Sequence, residues 1–169
     1  LGVAAGWFLL TAAVTAGYLG GIATTLDHAT LGGVDAAVEH ALPMLAVQVV
    51  TAAAAILAFL PALVSPAFVV LAFPAALLVT YLLYGAPYLV VLDRSATDAL
   101  AGSYRLALDS REYRSFGLRY LGVAAVASIP LTALATNAGV LGVLAAAAIA
   151  AYPSYVGSVA TMRVVADAD

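Results

Sequence analysis

The stretch from Asp93 to Arg119 reads DRSATDALAGSYRLALDSREYRSFGLR and holds five of the six arginines of a chain that has no lysine. On either side lie long runs, 41–92 and 120–162, without any Asp, Glu, His, Lys or Arg. A charge at the centre of a bilayer costs roughly 2.5 to 3.5 kcal/mol on an insertion scale, and one helical crossing needs about 20 apolar residues. The pattern therefore predicts that the arginine stretch stays at the water boundary while its flanks cross the lipid.

The composition supports this prediction. Hydrophobic residues make up 65% of the chain and charged residues 9%, whereas an ordinary soluble domain carries about 25% charged residues. The formal net charge of -3 argues against a nucleic-acid partner, because phosphates require a basic face. The chain contains no cysteine, which excludes disulfides, thiolate nucleophiles and cysteine-based metal sites.

The first apolar run, residues 1–25, predicts one membrane helix and lacks the basic start of a signal peptide. We expect a further helix upstream of it in the natural chain. Gly17 and Gly21 are four residues apart, a spacing that lets two helix backbones approach closely in lipid. The alternative is that these glycines reflect only the high glycine content of membrane helices.

The polar segment from Asp27 to Leu42 predicts a short interfacial helix. Val34, Val38 and Leu42 recur at four-residue spacing, with acids on another face. His28 and His40 each have an acid beside them, but adjacent helical residues point about 100° apart. A two-histidine metal site needs ligands on one face, so we predict no metal here.

The run 41–92 is long enough for two crossings, and its prolines at 61 and 66 predict a turn. Helices are therefore expected at 43–60 and 67–92. Pro74 and Pro87 predict a kink in the second helix, whose tyrosines form a stripe: Tyr81, Tyr84 and Tyr88. This stripe fits either a binding groove or hydrogen bonding between helices.

Ser95 followed by Asp98 is typical of a helix N-terminus and predicts an interfacial helix over 96–109. Its expected apolar stripe consists of Ala96, Leu100, Tyr104, Ala107 and Leu108. Two further helices are predicted at 115–135 and 138–162. An interfacial helix followed by a hairpin thus occurs twice, at 34–92 and at 96–162.

These elements predict an all-α fold, an integral membrane helical bundle of about five transmembrane helices plus two interfacial amphipathic helices. We expect a single transmembrane domain over residues 1–169. The positive-inside rule predicts a cytoplasmic location for the arginine stretch and for the C-terminus. The arginines expected to contact lipid head groups or a partner are Arg94, Arg105, Arg111, Arg114 and Arg119.

Two segments carry a family resemblance. Tyr84 to Leu108, YGAPYLVVLDRSATDALAGSYRLAL, and Ala16 to Leu45, AGYLGGIATTLDHATLGGVDAAVEHALPML, resemble the polytopic membrane domain attached to some glycerophosphodiester phosphodiesterases and its stand-alone relatives in bacteria and archaea. The resemblance implies a six-helix bundle whose first helix precedes this sequence. It implies no catalytic residue here, because that family's phosphodiesterase chemistry resides in a separate soluble barrel domain.

The carboxylates and histidines all lie outside the predicted spans, so we predict no catalytic, cofactor-binding or metal-binding residue and no enzymatic activity. The expected role is a non-catalytic membrane domain whose partners are lipids, other membrane-protein subunits or a second copy, without nucleic acid. The alternative is a transporter or lipid-handling protein with a polar path beside Tyr81, Tyr84, Tyr88, Tyr152 and Tyr155. A continuous opening lined by these tyrosines would favour that alternative.

Overall fold

The computed structural model describes the backbone of residues 2–168 and the side chains of 6–65, 67–120, 122–124 and 126–168. Leu1, which the sequence places in the first helix, lies outside the described residues. The elements are α1 (Gly2–Thr25), α2 (Val34–Glu39), α3 (Ala41–Val64), a 3-10 turn (Pro66–Phe68), α4 (Val69–Leu83), α5 (Ala86–Val91), α6 (Ala96–Asp109), α7 (Arg111–Asn137) and α8 (Gly139–Ala168).

The predicted fold class is confirmed. Residues 2–168 form an all-α bundle without a strand. Within them, five helices are long and apolar enough to cross a membrane: Gly6–Thr25, Ala41–Val64, Val69–Val91, Arg111–Asn137 and Gly139–Ala168. The order of elements also confirms the predicted repeat, because α2 precedes a hairpin of α3 and α4–α5, and α6 precedes a hairpin of α7 and α8. Helix α1 joins the hairpins by packing against α3, α5 and α8.

The two ends of the bundle differ in charge. His40 Nε2 lies 3.7 Å from Asp93 Oδ1, and Ala168 lines a groove together with Arg105. The charged residues of the described chain lie in three segments, which these contacts bring to the same end of the bundle: 27–40, 93–119 and 163–168. We call this the charged end. The turns at the opposite end, around Ser65 and Asn137, contain no charged residue.

The apolar stripe predicted for the interfacial helix α2 faces outward from the protein. Val34 and Val38 are 78% and 77% exposed, whereas Ala36 is buried against α1 at Gly20. A small residue allows the two helix backbones to approach closely, which is how helices associate in lipid. The large aliphatic side chains are left facing outward.

The stripe predicted for α6 is divided between the inside and the outside of the protein. The buried residues of this helix are Ala99, Ser103, Leu106 and Ala107. Of the predicted stripe, Ala107 is buried and Ala96 and Leu100 are partly buried, whereas Tyr104 and Leu108 are exposed.

Three predicted helix ends are wrong. Helix α3 continues through Pro61 to Val64, because a proline in the last turn disturbs few further hydrogen bonds. Helix α7 begins at Arg111, four residues before the expected Ser115, because Ser110 caps it. Helix α8 extends beyond Met162 to Ala168, since a helix does not have to stop where hydrocarbon ends.

The closely spaced glycines of α1 serve a contact within the chain. A Cβ atom added to Gly17 would lie 2.9 Å from the Gly33 carbonyl oxygen, and one added to Gly20 would overlap the Cβ of Ala36. Gly33 itself has a φ of 59°, which few other residues adopt. The glycine-rich end of α1 therefore forms the seat of α2 and of the loop before it.

Replacing Gly20 by valine should destabilise the protein, because the new side chain collides with Ala36. We expect the free energy of unfolding in detergent to fall by about 1–3 kcal/mol, the usual range for overpacking. The matched control is Gly6→Val in the same helix, since a Cβ atom at Gly6 meets nothing within 4 Å. Equal stabilities of the two variants would contradict the contact between α1 and α2.

Candidate functional site at the charged end

Serine caps position the two helices that carry most of the arginines. Asp98 N donates to Ser95 Oγ over 3.2 Å, which confirms the predicted start of α6. Tyr113 N donates to Ser110 Oγ over 3.1 Å at the start of α7. Because Ser110 both follows α6 and caps α7, the two helices are joined through one residue.

The structure brings only some of the predicted arginines together. Arg105 near the end of α6 and Arg111 at the start of α7 line one open groove of about 560 Å³. Arg114 and Arg119 are exposed further along α7, and Arg94 lies partly buried in the loop before α6. The five side chains thus lie at the charged end without forming a single cluster, and we call them together the arginine belt.

A break in the third span lies beside this belt. The helix predicted over 67–92 is interrupted at Tyr84 and Gly85, close to Pro87. Gly85 N donates to Ser103 Oγ over 3.1 Å, and Ser103 Oγ donates to the Leu82 carbonyl oxygen over 2.7 Å. The buried hydroxyl of α6 therefore replaces hydrogen bonds that the broken helix lacks, as side chains do at proline-containing breaks in lipid.

Around this break the tyrosine stripe becomes part of a larger aromatic cluster. The hydroxyls of Tyr84 and Tyr88 are 3.3 Å apart, and Tyr81 Oη donates to the Ala107 carbonyl oxygen over 3.1 Å. The ring of Tyr120 lies 5.7 Å from that of Tyr84, measured between centroids, and the ring of Tyr113 lies 6.0 Å from that of Tyr81. The cluster joins α4, α5 and α7.

Sequence reasoning missed Tyr113 and Tyr120 as members of the cluster. Both lie outside the stripe of the third span, and their spacing in the sequence does not join them to it. A usable signal was the pair Gly117 and Gly157, because a Cβ atom on the first would lie 2.8 Å from the Tyr81 ring and one on the second 2.5 Å from the Tyr120 ring. Glycines in these helices mark the seats of the rings.

Two of the tyrosines proposed for a transport path lie elsewhere. Tyr152 is 75% exposed and Tyr155 is 46% exposed on the outside of α8, away from the cluster. The clustered rings pack against one another and against glycine backbone. The five tyrosines proposed for a path are therefore divided into two groups. Tyr81, Tyr84 and Tyr88 pack inside the protein, whereas Tyr152 and Tyr155 face outward.

The two histidines lie at the charged end. His40 is 6% exposed and lies near the carboxylate of Asp93, whose φ of 63° places it in the left-handed region. His28 is exposed in the loop after α1. Among the described residues, no group of three or more His, Asp and Glu side chains is arranged to hold a metal ion.

Comparisons of the chain with protein-family models, with curated proteins and with solved structures give no match.

Replacing Ser103 by alanine tests the helix break. The change leaves the Gly85 N–H buried without its acceptor, and we expect the free energy of unfolding to fall by about 1–3 kcal/mol. The control is Ser154→Ala, which removes an exposed hydroxyl from α8 and should leave stability unchanged. A stable Ser103→Ala protein would show that the hydroxyl does not support the break.

Phenylalanine substitutions at Tyr113 and Tyr81 test which tyrosine hydroxyl stabilises the cluster. Tyr113 is 1% exposed, and its hydroxyl has no hydrogen-bond partner among the described residues. Tyr113→Phe should therefore leave the free energy of unfolding unchanged or raise it, whereas Tyr81→Phe should lower it by about 0.5–1.5 kcal/mol. Chemical denaturation in one detergent compares the two, and a larger loss for Tyr113→Phe would refute the assignment.

Proposed function

We propose that the chain is a non-catalytic, multi-pass domain of the cell membrane that packs against lipid or against partner membrane proteins, either other subunits or a second copy. Its arginine belt contacts lipid head groups at the charged end, which faces the cytoplasm. The related membrane domains of glycerophosphodiester phosphodiesterases, which two segments of the sequence resemble, are proposed as its family.

The observation that carries this proposal is the identity of the exposed residues. On α3 the exposed large side chains include Val49, Val50, Ile56, Leu57 and Phe59. On α8 they include Val140, Leu141, Val143, Leu144 and Ile149. Soluble monomers rarely expose contiguous apolar patches larger than a few hundred Å², so hydrocarbon is the surrounding that these faces fit.

The length of helix α7 also supports a location in the membrane. Helix α7 has 27 residues, which correspond to about 40 Å at a rise of about 1.5 Å per residue. A bilayer with its head groups is about 40–45 Å thick. Arg119 then lies nearer the hydrocarbon than Arg111 does, and a long arginine side chain can extend back to the head groups.

The distribution of reactive groups supports a non-catalytic role. The carboxylates and histidines lie at the charged end, whereas the buried side chains between the spans are aliphatic residues, tyrosines and hydroxyls. General acid–base chemistry needs a positioned acid or base beside the substrate. Packing and anchoring need only the apolar faces and the arginines.

Single-cysteine labelling tests insertion and orientation, because the chain has no cysteine of its own. Ala101 on α6 and Asn137 at the end of α7 are both exposed and lie at opposite ends of the bundle. In intact cells an impermeant maleimide should label Asn137→Cys and should label Ala101→Cys only after lysis. The reverse pattern would overturn the orientation, and equal labelling of both in intact cells would overturn the spanning arrangement.

A further inference from the structure

The groove at the charged end has a composition that general anchoring does not explain. It lies where α6 ends, α7 begins and α8 ends, and its volume is about 560 Å³. The side chains that matter to the argument are Arg105, Leu106, Asp109, Ser110, Arg111 and Glu112. Both signs of charge therefore line one concave surface.

The charged groups in the groove are available to a ligand. Within residues 2–168 neither Arg105 nor Arg111 forms an ion pair, although Asp109 lies one helical turn from Arg105 and Glu112 follows Arg111. Two guanidinium groups thus retain their donors, and two carboxylates retain their acceptors. Leu106, which is almost buried, adds an apolar wall.

We propose that this groove binds the head group of a phospholipid that carries both a phosphate and a primary ammonium group. The guanidinium groups of Arg105 and Arg111 donate to the phosphate oxygens, and the ammonium group donates to Asp109 and Glu112. The formal charges of these four side chains cancel. A purely anionic head group would therefore face two carboxylates, whereas a zwitterionic one complements both signs.

The position of the groove identifies a lipid as the source of this chemistry. Arg111 opens one candidate span and Ala168 closes another, and both residues line the groove. The groove therefore lies at the ends of two spans, where head groups meet protein. The inference rests on the proposed function, because only an inserted protein has head groups at this level.

Native mass spectrometry of the full chain in mild detergent provides the test. The protein is titrated with phosphatidylethanolamine, phosphatidylglycerol and phosphatidylcholine of identical acyl chains. We expect one bound phosphatidylethanolamine, retained about tenfold better than the other two, because phosphatidylglycerol lacks the ammonium and phosphatidylcholine lacks its N–H donors.

Paired variants separate the two halves of the site. Arg105→Gln with Arg111→Gln should lower retention of phosphatidylethanolamine by about tenfold, whereas Asp109→Asn with Glu112→Gln should abolish its preference over phosphatidylglycerol. The matched control is Arg163→Gln, an exposed arginine of α8 outside the groove, which should retain the lipid as the wild type does. All these positions are exposed, and circular dichroism checks that each variant is helical.

Three results would overturn the inference. The double arginine variant could retain the lipid as the wild type does, or phosphatidylglycerol could bind as well as phosphatidylethanolamine. Free phosphoethanolamine could also displace the lipid at equal concentration, which would identify a soluble ligand as the occupant. Cysteine labelling that shows insertion, together with any of these results, refutes the head-group site and leaves the proposed membrane function standing.

Discussion

The free-energy cost of placing a charge in hydrocarbon is the constraint on which the rest of the structure depends. The runs 41–92 and 120–162 contain no charged residue, so they can form long apolar hairpins. The charged residues between and around these runs are gathered at one end of the bundle. Because a crossing must begin and end where charge is tolerated, this segregation also fixes which helix ends lie side by side.

The interior combines aliphatic side chains with small residues and hydroxyls at the closest helix contacts, and many large aliphatic side chains face outward. Ala36 against Gly20 and Ser103 against Gly85 are typical of the interior. Val34 and Val38 are typical of the exterior. For helices in lipid there is no hydrophobic drive between helices, and close backbone approach and satisfied hydrogen bonds are what such a bundle relies on. This arrangement fits the outward valines of α2 and the hydroxyl at the helix break.

The sequence was sufficient to predict the all-α class, the five long apolar helices and the cap at Ser95. Those features follow from charge spacing and local hydrogen bonding, which act over a few residues. The contacts that seat α2 and α6 could not be predicted, because Gly20 and Gly85, which meet Ala36 and Ser103, lie in the first and third spans. The end of α3 was also mispredicted, because Pro61 is tolerated in a last turn.

The candidate sites depended more on tertiary structure. The arginines were identified by composition, but only the turn at Ser110 brings Arg105 and Arg111 into one groove. Tyr81, Tyr84 and Tyr88 were found by spacing, whereas Tyr113 and Tyr120 join them from a helix distant in sequence. Contacts between such distant segments leave no periodic pattern in the chain.

The most direct test of the central claim asks which solvent surrounds α3. A nitroxide attached at Ile56→Cys, on the exposed face of that helix, can be measured by electron paramagnetic resonance in the reconstituted protein. The account predicts that relaxation of the label by oxygen, which concentrates in hydrocarbon, exceeds its relaxation by a water-soluble nickel chelate. Stronger relaxation by the nickel chelate would place this face in water and would contradict the account.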